Sequence, residues 1–298
     1  MAGATRGAGR AIAVELARAG AFVYATGRSS RFAEPSEMGR TETIEDTGDL
    51  IREAGGTGSA MRVDHEDVAA VTDLVRRIED EHARLDIVVN DVFGGDRYAQ
   101  ERPLWEHDLS GGLRMLRMGI DTHVITAASA LPLLLRTGAG LVVEMTDGTA
   151  PYNGRYREGV GFFYDLVKAA VGRIVLSLAH ELADTAVTAL GVTPGWLRSE
   201  AMLDHFGVTE DSWREACDGE PGFAISESPT YVARGVTALA ADADHATSAG
   251  LVLTARDLAD RYRITDVDGS RPDCWGLLDA VGLTGMSDAD PQVVARFR

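Results

Sequence analysis

Short apolar runs alternate along the chain with longer segments whose apolar residues recur at helical spacing. "AFVYAT" (21–26), bounded by Gly20 and Gly27, has the β-forming, uninterrupted character of a buried strand. Similar runs are "GSAMRV" (58–63), "LDIVVN" (85–90), "GLVVEM" (140–145), "VTALGV" (187–192) and "AGLVLT" (249–254). Between them the spacing predicts helices. Val68, Val71, Val75 and Ile78 share a face, as do Leu109, Leu113, Leu116, Ile120 and Val124, and then Leu166, Val167, Ala170, Ile174 and Leu178. Ser228-Pro229 has the form of a helix start. Segment 29–57 is longer than a connection requires; its first half, with Pro35 and Gly39, reads as a surface loop and its second half as a helix from about Thr43. Continuously apolar strands separated by helices predict an α/β fold: a doubly wound parallel sheet with helices on both faces, whose ligands bind beyond the carboxyl ends of the strands.

Composition leaves this picture intact and narrows the partners. In 298 residues, 45% of them hydrophobic, there is enough apolar material for one large domain, taken here as residues 1–298 with 255–298 as a carboxyl-terminal extension. The 29 Lys and Arg against 46 Asp and Glu give a formal net charge of -17, which opposes binding to nucleic acid or an anionic membrane surface. Cys217 and Cys274 match no metal or redox spacing, so two free thiols in a reducing cytoplasm are expected. Charges interrupt the amino-terminal apolar segment, and no window suggests a membrane span. The histidines, His107, His123 and His205 among them, show no ligand spacing, and no metal is expected.

Chemistry concentrates in four places. "GATRGAGR" sets Gly3, Gly7 and Gly9 at the entry to a helix, where a backbone can turn tightly and offer free N–H groups to phosphates. Arg6 in that loop, and Arg28 and Ser29 after the next strand, present cations and a hydroxyl nearby. "FYDLVK" puts Tyr164 and Lys168 four residues apart on one helical face, where an ammonium can lower the pKa of a phenol acting as proton donor. "TPGWLRSE" places a Pro194-Gly195 turn and Ser199 after a strand.

The Gly-x-x-x-Gly-x-Gly spacing, followed in order by Tyr-x-x-x-Lys and Pro-Gly, resembles the short-chain dehydrogenase/reductase family, and so do residues 2 to about 254 as a whole. The resemblance implies a Rossmann-like three-layer fold and a nicotinamide cofactor. It assigns Gly3, Thr5, Arg6, Gly7, Ala8 and Gly9 to the phosphates, Asp64 to the adenine, Asn90 to the strand ends under the ribose, Tyr164 and Lys168 to catalysis and to the nicotinamide ribose, and Pro194, Gly195 and Ser199 to the nicotinamide end. Arg28, with Arg6, stands where an acidic residue would mark NAD, so NADP(H) is preferred. "DLADRY" and "DVDG" in the tail place the chain near a branch with bacterial members and a mammalian dehydrogenase/reductase.

Departures from the pattern bear on mechanism. No Ser occurs in the interval before Tyr164 where the family carries its carbonyl-binding hydroxyl; Thr146, Thr149 and Asp147 are the substitutes. Asp91 and a delayed Gly94-Gly95 replace part of the turn after Asn90, and Arg117 stands near the family's fourth catalytic position, where it can neutralise Asp147, bind an acidic substrate or be solvated. Trp105, Trp196, Phe206 and Trp213 offer an aromatic wall for a bulky ketone or aldehyde. The expectation is an NADP(H)-dependent oxidoreductase acting between a carbonyl and an alcohol, as a homodimer or homotetramer. A cofactor-binding protein with a lapsed catalytic site, and a non-redox enzyme such as a dehydratase, are the alternatives. The glycine loop begins at residue 3, so the first strand looks truncated: a strand of about five residues belongs before it, which implies either an upstream start or a sheet repaired in some other way.

Overall fold

Six parallel strands carry the core of this computed structural model, which describes residues 1–34, 36–282 and 285–298. Pro35, part of the expected surface loop, lies outside the described residues. The strands are β1 (Phe22–Gly27), β2 (Thr57–Arg62), β3 (Ile87–Asn90), β4 (Gly140–Met145), β5 (Val187–Thr193) and β6 (Val252–Thr254). They form two ladders, β2-β1 and β3-β4-β5-β6. Every residue of β4 and β5 is buried, as continuous apolar runs between helical layers require.

Helices α1 (Gly7–Arg18), α2 (Ile44–Glu53), α9 (Pro229–Ala241) and α10 (Ala255–Tyr262) belong to one side of the sheet, where Ile12, Leu16, Val143, Val192, Val236 and Leu258 join a single cluster. On the other side α3 (Val68–His82) and α5 (Thr122–Thr137) cover the strands through Val71, Leu74 and Ile78 and through Ala130, Leu133 and Leu134. α7 (Phe162–Glu181) lies beside α4 (Leu109–Leu116), with Met115, Phe163 and Val167 between them. Local chemistry sets several boundaries. Thr43 and Asp46 form a reciprocal capping box at the start of α2, as its sequence suggested. Ser228 precedes α9 as expected, yet its hydroxyl binds the buried Asp266 instead of capping the helix. Gly3 has φ +79° and lies so close to Asp91 that a Cβ would fall 2.3 Å from the Asp91 carbonyl oxygen.

The two ladders are joined where a central strand would run. Ala2 forms single parallel bridges to Thr26 and Asn90. Its N–H donates to the Val89 carbonyl at 2.9 Å, the Asp91 N–H donates to its carbonyl at 3.0 Å, and the Thr26 N–H donates to the Met1 carbonyl at 2.9 Å. Below that level the facing edges of β1 and β3 do not pair, and an apolar cavity of about 410 Å³ opens between them, lined among others by Val23, Ile78, Leu85 and Val88. The Met1 amine donates to the Tyr24 carbonyl inside this opening, and burial lowers its pKa to about 5.

Three expectations change. The helix over 109–137 is interrupted by a π-turn, Arg117–Asp121, between α4 and α5, and the face bearing Leu109, Leu113 and Val124 points outward. The buried face carries small residues instead: a Cβ on Gly112 would strike the Phe163 ring, and one on Gly119 would strike Val167. Helix α4 therefore packs closely on α7 through glycines, which an apolar-periodicity reading ranks as weak. The same helix, Leu109–Thr137, is long and apolar enough by composition to cross a membrane, with a mean hydropathy of 1.4 over its best window, contrary to the sequence reading; half of that window is buried against the sheet and its neighbours. The last strand is confined to Val252–Thr254, though Gly250 N–H still donates to the Ala189 carbonyl.

Replacing Ala2 with Pro removes one of the few hydrogen bonds that span the two ladders and leaves the Val89 carbonyl without its donor. A loss of about 1–3 kcal/mol follows, and calorimetric unfolding should show the melting temperature falling by several degrees, with Ala2→Gly much milder.

Candidate active site

At the carboxyl ends of the strands a cavity of about 260 Å³ collects residues from every connecting loop. Gly3, Thr5, Arg6, Gly7, Ala8, Arg28, Ser29, Asp64, Thr146, Asp147, Lys168 and Pro194 all line it. Gly9, Asn90, Tyr164, Gly195 and Ser199 are not among the lining residues. Asn90 donates to the carbonyl of His123 at 3.3 Å, tying β3 to the long helix just after its π-turn. Gly195 lies against Cys274 and Glu227. Ser199 caps α8 (Glu200–Phe206) by accepting the Met202 N–H.

The amino end of α1 is already occupied by acids. The Gly7 N–H donates to Glu200 at 2.8 Å, and Arg10 reaches the same carboxylate at 3.2 Å. The Asp91 carboxylate accepts the Gly9 N–H, and burial pushes its pKa up to about 7 against the pull of Lys168 and His123. Arg6 pairs with Glu42 at 3.6 Å, and its buried Nη1 has no hydrogen-bond partner. Arg28, which lines the same cavity, is held by Glu37 at 2.8 Å and Glu66 at 3.4 Å.

Around Tyr164 the geometry is tighter. Its hydroxyl donates to Asp147 Oδ2 at 3.4 Å, and Phe93 meets its ring edge-on. Lys168 Nζ sits 5.2 Å from the Tyr164 ring centre and 3.5 Å from that of Phe93. Burial raises the phenol pKa well above its ordinary value, and Asp147 adds to the shift; burial lowers that of Lys168. Asp147 is held by Arg157, whose Nη1 lies 2.6 Å from Oδ2. Arg157 is buried, bonded also to Asn153, and stacked on Tyr152 from α6 (Ala150–Asn153).

The substitutes for the missing Ser are thus distinguished. Thr146 donates to the Lys168 carbonyl, and Thr149 caps α6, so both hydroxyls have backbone partners. Arg117 does not approach Asp147: it is exposed and shares a separate pocket with Tyr98, Asp108 and Arg114. The aromatic residues also redistribute. Trp105 is 84% exposed, whereas Trp196, Phe206 and Trp213 gather round Phe223 as the core of the 199–225 segment, apart from the cavity lining. The extension reaches the site instead: Trp275, on α11 (Cys274–Val281), donates to the Pro194 carbonyl at 2.9 Å and packs on Tyr152.

The model of the short chain dehydrogenase family matches residues 1–206 of this chain. The chain belongs to that family. It is 30% identical over 274 residues to mouse (Mus musculus) dehydrogenase/reductase SDR family member 1, an alignment covering 90% of this chain and 82% of the relative. A 7alpha-hydroxysteroid dehydrogenase from Clostridium sardiniense is 25% identical over 240 residues, covering 80% of this chain and 84% of the relative. Among solved structures, a short chain dehydrogenase from Mycobacterium thermoresistibile superposes with a TM-score of 0.73 at 21% identity, covering 92% of each chain.

Short-chain dehydrogenases bind a nicotinamide cofactor, and the cavity suits one: a glycine cradle with no room for a Cβ at Gly3, and an unpartnered guanidinium nitrogen on Arg6 beside it. Sequence reading missed Arg157, Phe93, Glu200, Glu37 and Glu66; Glu200 ends the quoted "TPGWLRSE" stretch, but its tie to the glycine loop lies 193 positions away. Asp91 stood out only as a departure from the family's turn.

Because the Asp91 pKa is raised to about 7, protonation favours the folded state; that stabilisation is complete below the ordinary carboxylate range and is lost as pH rises through about 7. Asp91→Asn has no such term. Denaturant midpoints should show wild type losing ground to Asp91→Asn between pH 5 and pH 8.

Proposed function

We propose that this short-chain dehydrogenase is an NADP(H)-dependent oxidoreductase that reduces a bulky ketone or aldehyde to its alcohol. The observation that carries the reading is the convergence of Tyr164, Lys168 and Asp147 at the ends of β4 and β5, beside the glycine cradle. Gly3, Thr5, Gly7, Ala8 and Arg6 would hold the phosphates, Asp64 the adenine end, and Lys168 and Pro194 the nicotinamide end. The bound cofactor supplies the hydride.

The remaining steps belong to the protein. Burial and Asp147 hold the Tyr164 phenol pKa above its ordinary value, contrary to the lowering by Lys168 expected from the sequence, so proton donation to a carbonyl oxygen depends on how far the phenolate is stabilised as it forms. The Lys168 ammonium then stabilises the phenolate left behind. Asp147, paired with Arg157, accepts the Tyr164 hydroxyl, a different contact from a serine hydroxyl on the substrate carbonyl. Trp275 and Tyr152 lie on the substrate side and provide the apolar surface that a bulky carbonyl compound needs.

Arg28 and Arg6 support NADP(H) through their affinity for a 2′-phosphate. NAD(H) is a second reading, favoured by the carboxylates of Glu37 and Glu66 on Arg28. Exposed Leu109, Leu113 and Val124 on the long helix, with Phe162, Leu166 and Leu176 on α7, support a homodimer or homotetramer through that side. Free Cys217 and Cys274 suit a cytoplasmic setting.

Purified protein should oxidise NADPH in the presence of some member of a panel of bulky ketones and aldehydes. Tyr164→Phe should lower kcat by about 10²–10⁴-fold while dinucleotide binding, followed by calorimetry, stays within a few-fold. Undiminished turnover in Tyr164→Phe removes Tyr164 from the proton transfer.

A further inference from the structure

Arg28 is part of a closed quartet of charges. Its Nη1 meets Glu37 Oε1 at 2.8 Å and Glu66 Oε1 at 3.4 Å, while its Nη2 points at the Met118 sulfur at 3.4 Å. Arg114, from α4, binds the same two acids: Nη2 lies 2.5 Å from Glu37 Oε1 and 2.7 Å from Glu66 Oε1, and Nη1 lies 2.5 Å from Glu66 Oε2. The Tyr98 hydroxyl completes the shell with a 3.0 Å bond to Glu37. Two guanidiniums and two carboxylates thus make a neutral group in which each terminal nitrogen of Arg28 already has a partner. Hydrogen bonds from Arg114, Arg28 and Tyr98 hold the Glu37 carboxyl at about 2, against the opposing effect of burial, so it is ionised throughout the working pH range.

Glu37 comes from the polar loop that precedes α2. It does not itself line the cofactor cavity, although Arg28, Ser36, Met38 and Glu66 do. A 2′-phosphate arriving at Arg28 meets a guanidinium whose charge is already balanced from behind, in a protein of net charge -17. An uncharged ribose hydroxyl meets no such penalty, because it adds no charge to the quartet.

Resting on the reading of the cavity as a dinucleotide site, we infer that Glu37 is the cofactor-specificity determinant of this enzyme: it neutralises Arg28 and thereby holds back selection for the 2′-phosphate. The wild-type preference for NADP(H) is then smaller than Arg28 alone would give, and removing the Glu37 charge widens it. Arg114 acts in the opposite sense. It shares the two acids, so its removal leaves them wholly on Arg28 and turns the site toward NAD(H).

The test measures binding by calorimetry at one ionic strength, using 2′,5′-ADP against 5′-AMP and NADP⁺ against NAD⁺. Glu37→Gln should raise the affinity ratio for the 2′-phosphorylated ligand by about tenfold, one unit of log K or roughly 1.4 kcal/mol, with 5′-AMP affinity unchanged. Arg114→Gln should lower the same ratio, and it keeps the question open to test if Glu37→Gln loosens the loop. A ratio that stays within twofold in both variants, or that moves toward NAD⁺ in Glu37→Gln, overturns the inference while leaving the dinucleotide site standing. Failure of the wild type to bind either dinucleotide overturns the site itself, and the inference with it.

Discussion

Hydrogen bonds from Met1, Ala2 and Ala4 meet β1 and β3 in the middle of the sheet, where one apolar cluster also spans both ladders. Parallel strands are satisfied when both edges find partners, and between β1 and β3 Met1 and Ala2 supply some of them. Their amides and carbonyls bind Thr26, Val89 and Asp91, so the β2-β1 ladder and the β3–β6 ladder share one level of hydrogen bonds. That level is also the floor of the glycine loop. The glycine loop proposed to hold the phosphates and the joint between the ladders therefore share residues, and Gly3 lies tightly against Asp91 at that point. Where the bridge ends, apolar side chains line an open cavity and an amine sits at depressed pKa.

A second constraint is electrostatic. In a strongly acidic chain the cations at the site do not stand free: Arg6, Arg10, Arg28 and Arg157 each have a carboxylate partner. Such pairing lets guanidiniums be buried beside a cavity without the cost of isolated charge, and it makes anion binding an exchange of partners rather than a simple addition. The Asp147–Arg157 pair does the same at the reacting end. An ionised acid beside Tyr164 is tolerable because Arg157 compensates it, and the result is a phenol held in its protonated form.

Local chemistry was legible in the sequence. Tyr164 and Lys168 could be found because four residues is one helical turn, the glycine loop because its spacing is short, and β4 and β5 because burial on both faces leaves unbroken apolar runs. Cross-chain pairing was not. Glu37 and Arg114 are separated by 77 positions, and Gly7 and Glu200 by 193; nothing in either segment alone announces the other. Arg117 drew attention because it stands near the family's fourth catalytic position, but the π-turn and the outward face carry it to solvent, and Arg157 pairs with Asp147 instead. The apolar face of α4 misled for a related reason. Close packing on α7 calls for glycine at the contact, so the large side chains mark the outside of the helix.

The hydrogen bond from Trp275 to the Pro194 carbonyl gives the chain an order of completion. Trp275 follows Pro194 by 81 positions, so the wall beside that turn is supplied by a distant segment. The surroundings of the Pro194 turn are complete only when that distant segment has docked.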